Sequence, residues 1–401
     1  MNLKTLADLD LSGKRVLMRV DFNVPLSKDG DVADDTRIRS ALPSIEYVVD
    51  NGGSLVLMSH LGRPGGKKDP SMSLKVVAYR LAELTDHPVK FVEDCIGDSV
   101  AVKVSGLKKG EILLLENMRF YKEEKGNDTM FAKRIARWGD LYVNDAFGTA
   151  HRAHASTVAV PRNFVRRVAG FLLEKELTVL EGLIDNPASP FVAVLGGAKV
   201  SGKIGLVSNL LNHVDRLIIG GGMAFTFLKA VGLEIGDSLL DEEYLPLCRD
   251  IMEKESKRRE KKIYLPVDCL VAREIHEDSE FKMVSTGNIP KGWTAVDIGE
   301  KSVDLFSKEL DKARTVFWNG PMGIFEIDNF ARGTEEIARK VAEITDSGAK
   351  TVVGGGDSVS ALNRSHLSDR IFHVSTGGGA SLTLLEGGEL PAVEVLEKKD
   401  N

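Results

Sequence analysis

The sequence predicts an α/β fold built of two doubly wound parallel-sheet domains, and three observations support that expectation. Short β-branched runs recur along the chain, each closing in a Gly-rich or polar turn and usually followed by residues at helical spacing, which is the rhythm of βα units on a parallel sheet. Runs in the first half end in charged residues and runs in the second half end in glycine, so the halves carry different chemistry. Between them, GFLLEKELTVLEGLI (170–184) has apolar residues at helical spacing and stops at Asp185-Asn186-Pro187, predicting a helix that links two α/β halves. The expected organisation is a domain over 1–169, a linking helix over 170–185 and a second domain from 186. A length of 401 residues is enough for two domains.

In chain order the expected strands of the first half are KRVLMRV, SLVLMSH, EILLLEN and DLYVNDA. Those of the second half are FVAVLGG, RLIIGGG, KIYLPVD, TVFWNGP, KTVVGGGD and IFHVSTGGG. The charged run MEKESKRREKK (252–262) reads as a solvated helix face. A net charge of −6 gives no reason to expect nucleic acid as a partner, so an anion site has to come from locally gathered Arg and Lys. Three widely spaced cysteines, with no C-x-x-C pair, suit a reducing cytoplasm. Acids inside the N-terminal MNLKTLADLDL, and the lack of any 18-residue apolar run, give the expectation of no signal peptide and no membrane span.

Open α/β sheets bind ligands at the carboxyl ends of their strands, so the residues following each run matter most. In the first half these are Asp21 and Asn23, His60 and Arg63, Arg119, and His151, Arg152 and His154, with Arg37 nearby in DDTRIRS. Four arginines at one sheet edge would form an anion pocket, because the planar guanidinium meets phosphate or carboxylate with two parallel charge-assisted bonds. His151 and His154 also allow a metal reading, but no Cys or further His lies nearby. The second half presents Gly196-Gly197, Gly220 to Gly222, Gly354 to Gly356 and Gly377 to Gly379. Glycine turns running into helices let backbone N–H groups approach phosphate, which predicts a nucleotide floor. Asp357 follows one such turn as a helix N-cap or a Mg²⁺ ligand, and Glu326 in WNGPMGIFE could accept ribose hydroxyls.

Ten motifs in order, RVDFNVP, SHLGRP, ENMRF, NDAFGTAHRAHAS, GFLLEKEL, LGGAKVSGKI, GGGMAFTFL, WNGPMGIFE, GGGDS and STGGGASL, resemble the phosphoglycerate kinase family over nearly the whole chain. The resemblance implies a cytoplasmic monomer with two Rossmann-like domains and a hinge. Its reaction would be reversible phosphoryl transfer from 1,3-bisphosphoglycerate to ADP, giving 3-phosphoglycerate and ATP within a closed interdomain cleft. It further implies that Asp21, Asn23, Arg37, His60, Arg63, Arg119 and Arg152 bind the phosphoglycerate. Mg²⁺ and the nucleotide would sit on Lys199, Lys203, Gly221, Asn319, Glu326, Gly355, Gly356, Asp357 and Ser358, with Asp357 on the metal. Residues 389–401 would return to pack on the first domain.

Residues 197–203, GAKVSGK, match the phosphate-loop pattern, yet Ile204 stands where a Ser or Thr should ligate Mg²⁺. The family carries no such loop and commonly has Asp where this chain has Gly202, so the match is accidental. Lys199 and Lys203 would share a face if that segment were helical. The acceptor carboxylate is already ionised at neutral pH, so no general base is needed. Arg37, Lys199, Lys203 and the N–H groups around Gly378 are therefore expected to neutralise the moving phosphoryl. A nicotinamide dehydrogenase would need a G-x-G-x-x-G turn that GGGMAF and STGGGASL do not supply, and a non-catalytic sensor would not need converging lysines. The basic stretch PRNFVRRVA (161–169) has no functional explanation from sequence.

Overall fold

The computed structural model describes residues 2–399. Among them the chain forms two compact units, one comprising the chain up to Val179 and again from Glu389, the other Leu180–Gly388. The division falls inside the helix Phe171–Asp185.

The first unit holds β1 (Arg15–Arg19), β2 (Ser54–Met58), β3 (Val89–Val92), β4 (Ile112–Leu115), β5 (Leu141–Asn144) and β6 (Arg167–Ala169). These make one sheet in the order β3-β4-β2-β1-β5-β6, parallel throughout. The second unit begins with β7 (Phe191–Leu195), β8 (Arg216–Ile219), β9 (Ile263–Tyr264), β10 (Asp268–Ala272), β11 (Phe281–Ser285) and β12 (Thr294–Ile298). It continues with β13 (Thr315–Asn319), β14 (Lys350–Gly354) and β15 (His373–Val374). Its main sheet runs β15-β14-β13-β7-β8-β9, again parallel. The apolar runs of β4, β5, β7 and β13 are buried at every position, as parallel strands must be when both faces of a sheet are covered. Two parallel-sheet α/β units are thus present, and all ten expected strands are among those observed.

The additional strands follow rules other than the βα rhythm. β3 and β6 are sheet-edge strands of four and three residues. β10, β11 and β12 form a separate antiparallel sheet in the order β11-β10-β12. The charged run 252–262 is only partly a helix face: the helix Leu245–Ser256 ends within it, and Glu255 is buried, its Oε1 accepting from the N–H of Lys262 at 2.5 Å and of Ile263 at 2.9 Å.

The basic stretch before the helix Phe171–Asp185 has a structural explanation. Lys4 N–H donates to Glu397 O and Glu397 N–H to Arg167 O, each at 2.9 Å, so the C-terminal tail threads between the chain start and β6. The carboxylate of Glu397 takes Arg166 Nη1 at 3.1 Å and the Arg167 N–H at 3.0 Å, while Arg167 Nε donates to Val395 O at 2.6 Å. The two arginines bind the tail.

Candidate functional site

In the second unit, strand order makes β7 and β13 neighbours whose onward connections run to opposite edges, and ligands of open α/β sheets lie at such switch points. Lys203 is placed there: its Nζ donates to Gly196 O at 2.6 Å and to Asn319 O at 3.0 Å, one carbonyl beyond β7 and one at the end of β13. Burial draws its pKa from 10.5 down to about 8, and the charge of Asp357 opposes that fall. Lys203, Asn319, Gly320, Gly355, Gly356, Asp357, Ser358, Gly378, Gly379 and Leu382 line a cavity of about 230 Å³. The helices Gly356–Arg364 and Gly378–Leu385 both begin on this cavity, directing their first-turn N–H groups and positive dipole ends towards it. Gly320 has φ +97°, and a Cβ there would collide with Gly196 O and Lys203 Nζ, so only glycine lets the lysine and the strand end approach so closely. Ser358 Oγ takes the Gly320 N–H at 2.5 Å, and Asn319 Nδ2 donates to Gly354 O at 2.7 Å, tying the β13 and β14 turns together.

Four expectations for this unit meet a different arrangement. Residues 198–203 are not helical, because the helix spans Ile204–Leu210 with Lys203 as its N-cap. Lys199 and Lys203 therefore share no helix face; Lys199 is exposed and outside the cavity lining. Gly355, not Asp357, is the N-cap of the helix Gly356–Arg364; Asp357 lies in its first turn, exposed and facing the cavity. Gly221, with φ +63°, packs against Gly197 and does not line the cavity. Glu326 is exposed, its carbonyl near Arg364 Nη1, and likewise stands outside the lining.

The first unit gathers cations. Arg37 Nη1 donates to Asp21 Oδ2 at 2.8 Å. Asn23 Oδ1 takes the Gly62 N–H at 2.8 Å and Arg119 Nη1 donates to Gly62 O at 2.9 Å, so the turn before the exposed Arg63 is held from both sides. Arg119 is buried with its Nε unpaired by protein; burial first, then the charges of Arg19 and Arg152, lower its pKa to about 10. Burial together with Arg19, Arg119 and Arg37 holds His60 well below its ordinary pKa, and the same causes, with Arg152 in place of Arg37, bring His154 to about 4. His151 is lowered by burial and by Arg152, with which its Nε2 shares a 3.0 Å hydrogen bond. The histidines are thus neutral at pH 7, and the positive charge is carried by arginine. A cluster of mutually repelling cations offset only by Asp21 and, behind Arg19, by Glu124 is suited to receiving an anion.

Sequence reading overlooked Arg19, which is fully buried at the end of β1 and contacts His60, Ser156 and the Val20 carbonyl. Its signal was an arginine inside the apolar run VLMRV. Among the described residues no group of three or more His, Cys, Asp and Glu could hold a metal ion. A lone carboxylate beside phosphate-binding turns suits Mg²⁺, which takes most of its ligands from phosphate and water. No helix of the described residues is long and apolar enough to cross a membrane.

Comparison with known proteins agrees with this arrangement. The family model described as phosphoglycerate kinase matches residues 6–388. The chain is 52% identical to the phosphoglycerate kinase of Chlorobaculum tepidum over 99% of its own length and all of the relative's. It is 51% identical to that of Chloroflexus aggregans over 99% of both chains. The solved structure of phosphoglycerate kinase from Coxiella burnetii superposes with a TM-score of 0.86 at 40% identity, covering 98% of each chain. That from Pyrococcus horikoshii OT3 does so with the same TM-score at 33% identity and the same coverage. With its family model, its full-length relatives and its fold in agreement, the chain belongs to the phosphoglycerate kinase family.

Proposed function

We infer that this chain catalyses reversible, Mg²⁺-dependent phosphoryl transfer from 1,3-bisphosphoglycerate to ADP, giving 3-phosphoglycerate and ATP, the phosphotransferase step of glycolysis. The observation that carries the reading is Lys203, held at the β7/β13 switch point in a cavity floored by glycine turns and the starts of two helices. That is a site for a nucleotide's phosphates. The arginine-rich cluster of the other unit supplies the matching site for a phosphorylated acid.

The carboxylate of 3-phosphoglycerate is its own nucleophile, so the chain's task is binding and charge neutralisation, with no base to provide. Arg37, Arg63, Arg119 and Arg152, with Asp21, Asn23 and His60, bind and orient the acid. Lys203 offers its ammonium to the moving phosphoryl, Gly355, Gly356, Ser358 and Gly378 offer backbone N–H groups, and Asn319 fixes the turns beneath them. Asp357 is the residue that would hold Mg²⁺, which when bound neutralises phosphate charge and orients the oxygens. Lys199, Gly221 and Glu326 stand outside the cavity; Lys199 and Glu326 act only where a bound nucleotide extends beyond it. The protein works as a monomer in the cytoplasm, its three free cysteines buried. A coupled assay for ATP formation from 1,3-bisphosphoglycerate and ADP, with and without Mg²⁺, tests the reading. Activity that requires Mg²⁺ is expected, and a folded protein that binds both ligands without turnover would refute it.

A further inference from the structure

Behind the cation cluster lies a buried hydrogen-bond chain that the reaction itself does not call on. Glu124 is fully buried in the helix Lys122–Lys125. Its Oε1 accepts from Ser156 Oγ at 2.5 Å and its Oε2 from the Ser156 N–H at 2.9 Å. With its proton committed to Glu124, the Ser156 hydroxyl acts as an acceptor and takes Arg19 Nε at 2.8 Å. The Ser156 carbonyl is in turn held by the Tyr142 hydroxyl at 2.9 Å. Arg19 is thus held through its Nε, and its Nη2 lies 3.0 Å from His60 Nδ1. Guanidinium has donors only, so His60 Nδ1 must be the acceptor in that bond and the ring proton must sit on Nε2. The one carboxylate near the same nitrogen, Asp21 Oδ1, stands 3.8 Å away, too far for a bond that would draw a proton to Nδ1.

We propose that Glu124 and Ser156 are positioning residues that aim Arg19 at His60 Nδ1 and so fix His60 as a neutral Nε2–H donor for the acid substrate. Arg19 donates at both ends, to Ser156 Oγ and to His60 Nδ1, so Glu124 and Ser156 act on the tautomer by holding the guanidinium in place. Ser156 lies in the π-helical turn Ala155–Ala159, a rare geometry often found at functional sites. The functional half of this inference rests on the assignment of the phosphoglycerate to the cation cluster; the tautomer half does not.

The test is the two-bond ¹H–¹⁵N spectrum of the imidazoles in the intact protein, with the His60 signal identified by its loss in His60→Gln. Unmodified protein should show Nδ1 unprotonated and Nε2 protonated, and Ser156→Ala and Glu124→Gln should show an exchange average of both tautomers. The same two variants should raise KM for 3-phosphoglycerate about tenfold, the loss expected when a hydrogen bond to a charged group is misdirected, and leave KM for ATP unchanged. Ser156→Thr, which keeps the hydroxyl, should restore both readouts. Should Ser156→Ala fail to fold, Glu124→Gln, which is nearly isosteric, carries the same comparison. A protonated Nδ1 in the unmodified protein, or unshifted tautomers in the variants, overturns the proposal. If the tautomer shifts as expected but His60→Gln leaves KM for 3-phosphoglycerate unchanged, the substrate assignment fails and the functional half of the proposal falls with it.

Discussion

Lys203 should take up a proton when nucleotide binds. Its fall from 10.5 to about 8, at ~1.36 kcal/mol per pH unit, means that burial makes the charged form about 3 kcal/mol less favourable than in water. Two backbone carbonyls accept from the ammonium but bring no full negative charge to offset that loss. Phosphates entering the cavity do bring it, and an opposite charge within about 4–6 Å raises the pKa again. With free Lys203 near 8, about nine-tenths of molecules carry the charge at pH 7 and about one-tenth at pH 9. Binding ADP should therefore draw in about 0.1 proton at pH 7 and about 0.9 at pH 9, and affinity should fall about tenfold per pH unit above 8. The phosphates of ADP, with a second pKa near 6, are fully ionised at pH 9 and contribute nothing there. Calorimetry in two buffers of different ionisation enthalpy counts the protons directly. Lys203→Arg stays charged throughout and should show no uptake. Zero uptake at pH 9, or equal uptake in Lys203→Arg, would refute the reasoning. The same shift has a consequence for stability: between pH 8 and 10.5 the unfolded chain binds more protons than the folded one, so the free energy of unfolding should rise with pH as the buried charge is relieved.

Two further outcomes follow from contacts elsewhere. Glu397→Ala removes the acceptor of the Arg167 N–H and the partner of Arg166 and Lys4, and should destabilise the first unit by about 1–3 kcal/mol. Hydrogen exchange across 164–170 should quicken, and rates equal to those of the unmodified protein would count against the tail's holding β6. Gly320→Ala forces a side chain onto φ +97° and into the Lys203 ammonium, and should lower unfolding free energy by about 2 kcal/mol or more while weakening ADP binding. An unchanged melting curve together with an unchanged ADP titration would show that this close approach does not exist.

The parallel sheets were legible in the sequence because strands buried on both faces read as uninterrupted apolar runs, such as ILLL in β4 and FVAVL in β7. β11 carries no such mark: FKMVS is exposed or half-buried at all five positions, so no uninterrupted apolar run announces it. Two of the four glycine turns, at Gly355 and Gly356 and at Gly378 and Gly379, line the cavity, where positive φ, as at Gly355, leaves glycine little substitute; Gly196, Gly197 and Gly220 to Gly222 do not. Lys199 and Lys203 share no helix face because spacing in a sequence specifies a face only within a helix, and the backbone there is not helical. Arg19 was passed over because sequence patterns mark buried charge as an exception without naming its partners; Ser156 lies 137 residues away and reaches it only through the fold.

The first unit is discontinuous in the chain, since β6 and the residues that start the chain are bound by the segment around Glu397. On a ribosome this inverts the usual order of completion. The lobe translated first must wait while Leu180–Gly388 is synthesised, on the order of 10–40 s at typical rates, before its last strand-like contacts exist. A nascent chain in that interval exposes the seam along β6 to chaperones and proteases. Vectorial synthesis thus makes the segment around Glu397 the last part of the amino-terminal lobe to be added.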